Sequence, residues 1–149
     1  MARFPSVDWF DAVAKAYASD QERAKRVGYV EANVGILVED GGSTKGFVLE
    51  FAGYGPRAVR EVQDPVPETD FTIAGPLEAW REMVQNIRNH GEADLDHTLN
   101  RLTMAGVPLR LLSNDQLEAD LFFRFNQSFQ AYFNAAAGVP AEYPTAATV

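Results

Sequence analysis

The sequence predicts one α+β domain, with five strands set between amphipathic helices. Three observations carry that prediction. Residues 29–39 and 47–52 alternate apolar and polar side chains, the period of half-buried strands. Residues 6–25 and 116–137 repeat apolar residues at helical spacing. Between them, Asp70-Phe-Thr-Ile-Ala-Gly-Pro-Leu-Glu-Ala-Trp80 passes from strand period straight into a helix start.

The first helix is expected from Ser6 to Lys25. Ser6 is a suitable N-cap, and Asp8 and Asp11 suit the helix's positive end. Trp9, Phe10, Val13, Ala16 and Tyr17 share one face. The first strand, Tyr29 to Glu39, puts Val30, Ala32, Val34, Ile36 and Val38 on one side. Asp40 to Gly46 reads as a loop of turn formers. The second strand, Phe47 to Ala52, aligns Phe47, Leu49 and Phe51. Gly53 to Pro56 is a turn, and a third strand follows at Ala58 to Val62. Asp64-Pro-Val-Pro67 cannot lie inside a sheet, because each proline lacks a ladder donor.

The fourth strand is Thr69 to Ala74. Gly75 is the expected N-cap of the next helix, with Pro76 at its first position. That helix runs to about Asn89, buries Leu77, Trp80, Val84 and Ile87, and keeps Met83 at the margin. His90-Gly91 ends it. Leu95, Leu99 and Leu102 suggest a short helical turn, and Pro108 to Leu112 a fifth strand. Ser113-Asn-Asp-Gln116 matches a capping box. The helix after it carries Leu117, Leu121, Phe122, Phe125, Phe129, Tyr132 and Phe133 on one broad face. Phe123 falls outside that stripe, as an exposed residue, a pocket cover or an interface residue. Residues 1–137 form the domain, and 138–149 read as a loose tail.

Composition excludes several functions. The chain of 149 residues has no cysteine, so disulfides, thiolate catalysis and sulfur-ligated zinc are ruled out. A net charge of −8 disfavours nucleic acid and anionic membrane surfaces. No apolar run reaches the ~20 residues of a membrane span, and no secretory signal is visible. A cytoplasmic protein without stable membrane insertion is expected.

No catalytic signature appears. His90 and His97 flank Glu92, Asp94 and Asp96, but their spacing matches no metal motif. No Gly-x-Ser-x-Gly elbow is present. Gly41 to Gly46 lacks the order of a phosphate loop and joins two strands. Arg101 and Arg124 could meet a carboxylate head group, though surface pairing is the simpler reading. No metal or cofactor is expected.

The order of elements is similar to the sterol-transfer domain of the sterol carrier protein family. The likeness rests on Phe71-Thr-Ile-Ala-Gly-Pro-Leu-Glu-Ala-Trp80, on Gly106-Val-Pro-Leu-Arg-Leu-Leu112, on a polar turn with Asp115, and on the closing apolar helix. It covers most of residues 6–137. It implies a curved, mostly antiparallel five-stranded sheet covered by helices around an apolar tunnel. It also implies a non-catalytic carrier for a fatty acid, acyl-CoA or sterol-type ligand. This chain departs in its longer 92–103 segment, its aromatic last helix and its lack of a basic patch.

On that reading the ligand would lie between an inner sheet face and helical lids. Phe71, Ile73, Leu109 and Leu111 supply the sheet side. Trp80, Met83, Phe122, Phe125 and Phe129 supply the lids. A dry apolar void costs ~24 cal/mol per Å³. The space is therefore filled by a guest, closed by helix movement, or open to water. The alternative function is an accessory protein with a solid core, which dimerises or joins an enzyme through its aromatic helix.

Overall fold

The computed structural model describes residues 2–19, 22, 30–53, 56–104, 108–113 and 115–142. Strand β1 (Ala2–Arg3) leads into helix α1 (Val7–Ser19). Ser6 caps α1, its Oγ accepting from the Trp9 N–H at 3.1 Å. The predicted continuation of this helix to Lys25 lies mostly outside the described residues.

Strands β2 (Val30–Asp40) and β3 (Ser43–Gly53) form a hairpin registered from Val30–Gly53 to Asp40–Ser43. The expected seven-residue loop is therefore a correction. Only Gly41 and Gly42 turn the chain, with φ of 58° and 97°. Two consecutive residues at positive φ make the tight turn whose twist matches the strands. Strand β4 (Pro56–Val62) pairs with β3, with a bulge between Glu50 and Phe51.

Strand β5 (Phe71–Pro76) then enters beside β2, and the sheet order is β4-β3-β2-β5-β6. The β2–β5 pair is parallel and the other pairs are antiparallel. This is the mostly antiparallel five-stranded sheet the sequence predicts. Strand β6 (Arg110–Leu112) is shorter than expected, and Leu109 precedes it.

Helix α2 (Leu77–His90) starts one residue late. Pro76 is its N-cap in an extended conformation, and Gly75 stays in the strand. A Cβ at Gly75 would run into Leu109, so close approach of β5 to the 108–109 segment holds that glycine. Gly91 stops α2 at φ 87°, as predicted. Met83 is fully buried rather than marginal. Helix α3 (Leu99–Thr103) is the short predicted turn, but Leu95 is left outside it, 88% exposed.

Helix α4 (Gln116–Asn134) begins at the residue the capping box would place three positions inside it. Ser113 does other work. Its Oγ donates towards the Asp70 carbonyl at 2.7 Å and accepts from the Asp115 N–H at 3.2 Å. It thus ties the end of β6 to the residue before β5. A 3-10 turn (Ala135–Gly138) follows α4, and β7 (Ala141–Glu142) pairs in parallel with β1. Val139 and Ala141 are buried. The pairing with β1 thus joins residues 141–142 to the domain, where the sequence reading places a loose tail. Residues 143–149 lie outside the described set.

The helices cover one sheet face, and Tyr132 of α4 donates to the Phe10 carbonyl of α1 at 2.8 Å. Burial first, and then the Asp11 charge, push the Tyr132 hydroxyl well above its ordinary pKa. That group stays a neutral donor. The other sheet face is partly covered by the link between β4 and β5. Pro65 of that link comes close to where a Cβ of Gly35 or Gly46 would stand.

Candidate functional site

The inner sheet face is built by register. Val34 and Ile36 of β2 stand beside Phe71 and Ile73 of β5, and Ile73 pairs with Leu111 of β6. Alternation puts all five on one side. The buried stripe of α2 (Trp80, Met83, Val84, Ile87) and the aromatic face of α4 belong to the same apolar cluster.

Of the nine residues predicted to line a ligand space, seven are buried: Phe71, Ile73, Trp80, Met83, Leu109, Phe122 and Phe129. Leu111 and Phe125 pack against this cluster half-buried. The aromatic members touch one another. Phe71 meets Phe129 at 5.3 Å and Phe122 at 5.7 Å between ring centres, both edge-to-face. Phe129 also meets Phe51 at 5.1 Å. Trp80 lies flat on Phe133 at 5.9 Å. These are the distances at which aromatic pairs attract.

Phe125 interrupts α4. Its φ of −116° and ψ of 18° are not helical. The break falls between Phe122 and Phe129, whose rings stack across it at 6.5 Å. The side chain of Asn126 donates to the Phe123 carbonyl at 3.0 Å beside the break. The Arg124 guanidinium lies 5.2 Å from the centre of the Phe125 ring, a cation–π contact. Periodicity over the whole helix could not show this break, since the apolar spacing continues through it.

Two clefts open elsewhere on the described surface, and none of the nine residues lines either. One, of about 430 Å³, runs along the outer face of α2 past Glu78, Arg81, Glu82, Asn86 and His97. The other, of about 410 Å³, lies between α3 and α4 and is lined by Thr98, Asn100, Asn126 and Gln130. His97 bonds to Asp94 at 2.6 Å and to Glu82 at 3.3 Å. The Asp94 bond raises its pKa above 6.5, opposed in part by burial and helped by the weaker Glu82 bond. Asn86 and Asp94 bond reciprocally at 2.9 Å. Among the described residues, no group of His, Asp and Glu is arranged to hold a metal ion. His90, Glu92 and Asp96 are exposed.

Arg101 and Arg124, the head-group candidates, are exposed as well. The sequence reading missed Arg110, which makes a two-toothed bond to Glu39 at 3.0 and 2.9 Å. That bond holds the Glu39 carboxyl below its ordinary pKa. The pair crosses the sheet from β6 to β2, a separation of 71 residues that no local pattern could show. Also missed were two buried side-chain atoms that lack a hydrogen-bond partner among the described residues, Trp80 Nε1 and Arg81 Nε. No helix among the described residues is long and apolar enough to cross a membrane.

No family model matches the chain. No curated protein matches it either. Solved structures do. A crystal structure of sterol carrier protein 2 superposes with a TM-score of 0.69 at 17% identity, covering 91% of this chain and 98% of that one. A solution structure of a conserved hypothetical protein from Thermus thermophilus, described as a candidate sterol carrier protein, gives 0.65 at 17% identity. It covers 97% of this chain and 94% of its own. The chain therefore has the sterol carrier protein fold over nearly its whole length.

Proposed function

We propose that this chain is a non-catalytic carrier or binding domain for an apolar, lipid-like ligand. The ligand enters between the β5 face and the helices and lies among Phe71, Phe122, Phe129 and their neighbours. The shared fold supports this reading, and the break at Phe125 is the observation that carries it. A helix broken inside its own buried aromatic face can lift one half while the other stays packed. In this reading the contacts of Phe122 and Phe129 with Phe71 are the closed, ligand-free arrangement, which avoids the cost of a dry void.

Binding then exchanges ring–ring contacts for guest contacts. Burial of the guest gains about 25 cal/mol per Å² of apolar surface, less what lifting the helix costs. No residue is assigned a covalent step, and no metal or cofactor is required. The net charge of −8 supports a cytoplasmic carrier that neither inserts stably in membranes nor binds nucleic acid.

The test is direct. Native mass spectrometry of freshly purified protein should show a bound lipid mass. At least one of palmitic acid, its coenzyme A thioester and cholesterol should raise the melting temperature, since a ligand at 100 times its Kd stabilises by about 2.7 kcal/mol. A clean protein mass together with an unmoved melting temperature for palmitic acid, its coenzyme A thioester and cholesterol would overturn the proposal.

A further inference from the structure

Trp80 sits on the buried face of α2 at 0% exposure, with its ring against Phe133. Its Nε1–H has no hydrogen-bond partner among the described residues. Buried donors without acceptors are rare in folded proteins, because their desolvation is uncompensated. A phenylalanine here would stack on Phe133 without that penalty. Arg81 Nε, also without a partner, differs in kind: its side chain borders the outer cleft beside Glu78 and Glu82.

We infer that Trp80 Nε1 is the polar fixing point of the interior site and selects guests carrying an uncharged carbonyl group: an ester, thioester or ketone. The inference rests on the carrier reading above. Its chemistry follows from what the cluster offers. Indole N–H donates and cannot accept. Among the described residues the buried polar ones are Thr69, Thr72 and Ser128, none of them a cation, and the two threonines lie on the outer sheet face. No buried side-chain acceptor among the described residues is left unpaired. An alcohol oxygen could accept from Trp80, but its own O–H would then be stranded. A protonated carboxylic acid has the same defect. An ionised one would bury a charge with no counter-ion in the cluster. A carbonyl without an O–H satisfies the donor and brings no new unpaired group. It also has a long apolar chain on at least one side, which the surrounding rings suit.

Methyl dodecanoate, 1-dodecanol and dodecane test this, since they share a chain length and differ at the polar end. Competition against a fluorescent apolar dye gives their relative affinities. The native chain should bind the ester about tenfold more tightly than the alkane, the worth of one good hydrogen bond. The alcohol should fall between them. Trp80→Phe should remove the preference, read as the ratio of ester to dodecane affinity in the variant against that ratio in the native chain. A proton NMR measurement on the native protein stands independently of how that variant folds. The chain has two tryptophans, so two indole N–H signals are expected. One should move downfield with the ester and not with dodecane. Equal binding of all three probes, or a preference for the alcohol, with both indole signals unmoved, would overturn the role of Trp80 while the carrier reading stands. Binding of none of them would overturn the role of Trp80, and the carrier reading falls with it only if palmitic acid, its coenzyme A thioester and cholesterol also leave the melting temperature unmoved.

Discussion

Gly35 of β2 faces Thr72 of β5 across the parallel pair, and a Cβ on Gly35 would collide with the Thr72 hydroxyl. The hydroxyl has nowhere to go. It bonds to Thr69 Oγ1 at 2.9 Å, and Thr69 bonds to the Pro65 carbonyl at 2.8 Å. This chain pins the β4–β5 link to the outer sheet face and so fixes where β5 enters beside β2. Gly35→Ala should therefore cost about 1–3 kcal/mol, the range for overpacking a filled site. Urea unfolding should show a lower midpoint at unchanged slope. An unmoved midpoint would mean that β2 and β5 can separate freely here.

Phe129 is the point where the two sides of the interior meet, touching Phe51 of β3 and Phe71 of β5. Phe129→Ala should destabilise by about 3–5 kcal/mol if the cavity stays open. Benzene should then recover part of the loss, as a guest for a dry apolar void. Thermal melts with and without benzene read both effects. A much smaller loss with no benzene response would mean that α4 closes over the gap, the movement that ligand entry requires.

His97 fastens the 92–98 segment to α2 through Asp94 and Glu82, and its bonds give that fastening a pH dependence. The folded pKa is raised above 6.5, so the stability it contributes is fully present below pH 6.5. It is lost as pH rises through the higher folded value. Asp94 is shifted the other way, lowered first by its bond to His97 and then by Asn86. Its contribution is present above pH 3.8 and lost as pH falls through its lower folded value. The segment should be most firmly held between those limits. An NMR titration should place the His97 pKa above 6.5 in the native chain and nearer 6.5 in Asp94→Asn. Equal values in the two proteins would remove Asp94 as the cause.

Local patterns explain how much of this was legible. Alternation in 30–40 and the Gly41-Gly42 pair specify the hairpin, and the buried stripe of α2 follows from spacing alone. The five strands came from local pattern, whereas their joining into one mostly antiparallel sheet came from the likeness of element order. Boundaries slipped where a tertiary contact decided them. Gly75 stays in β5 because Leu109 presses on it, and Ser113 is drawn to Asp70 instead of capping α4. Of the site, the apolar members were readable as a face. The break at Phe125 was not, because it keeps the spacing. Nor was the unpaired nitrogen of Trp80, because pairing depends on what every neighbour lacks.

Phe123 is the exposed aromatic of α4, 56% accessible, with its ring 5.3 Å from that of buried Phe122. A phenylalanine there adds nothing to the closed core, so Phe123→Ser should change stability by no more than about 0.5 kcal/mol. Its place on the half of α4 that precedes the break gives it a different use. On the carrier reading proposed above, lifting that half would part Phe122 from Phe71 and carry Phe123 over the opening, where it would shield the guest from water. The variant should therefore release methyl palmitate several-fold faster to lipid vesicles, while its melting temperature without ligand is unchanged. Sedimentation measures the competing role. If the native chain is a dimer and the serine variant a monomer with normal release, Phe123 belongs to an interface between copies, and the lid must retain its guest without it.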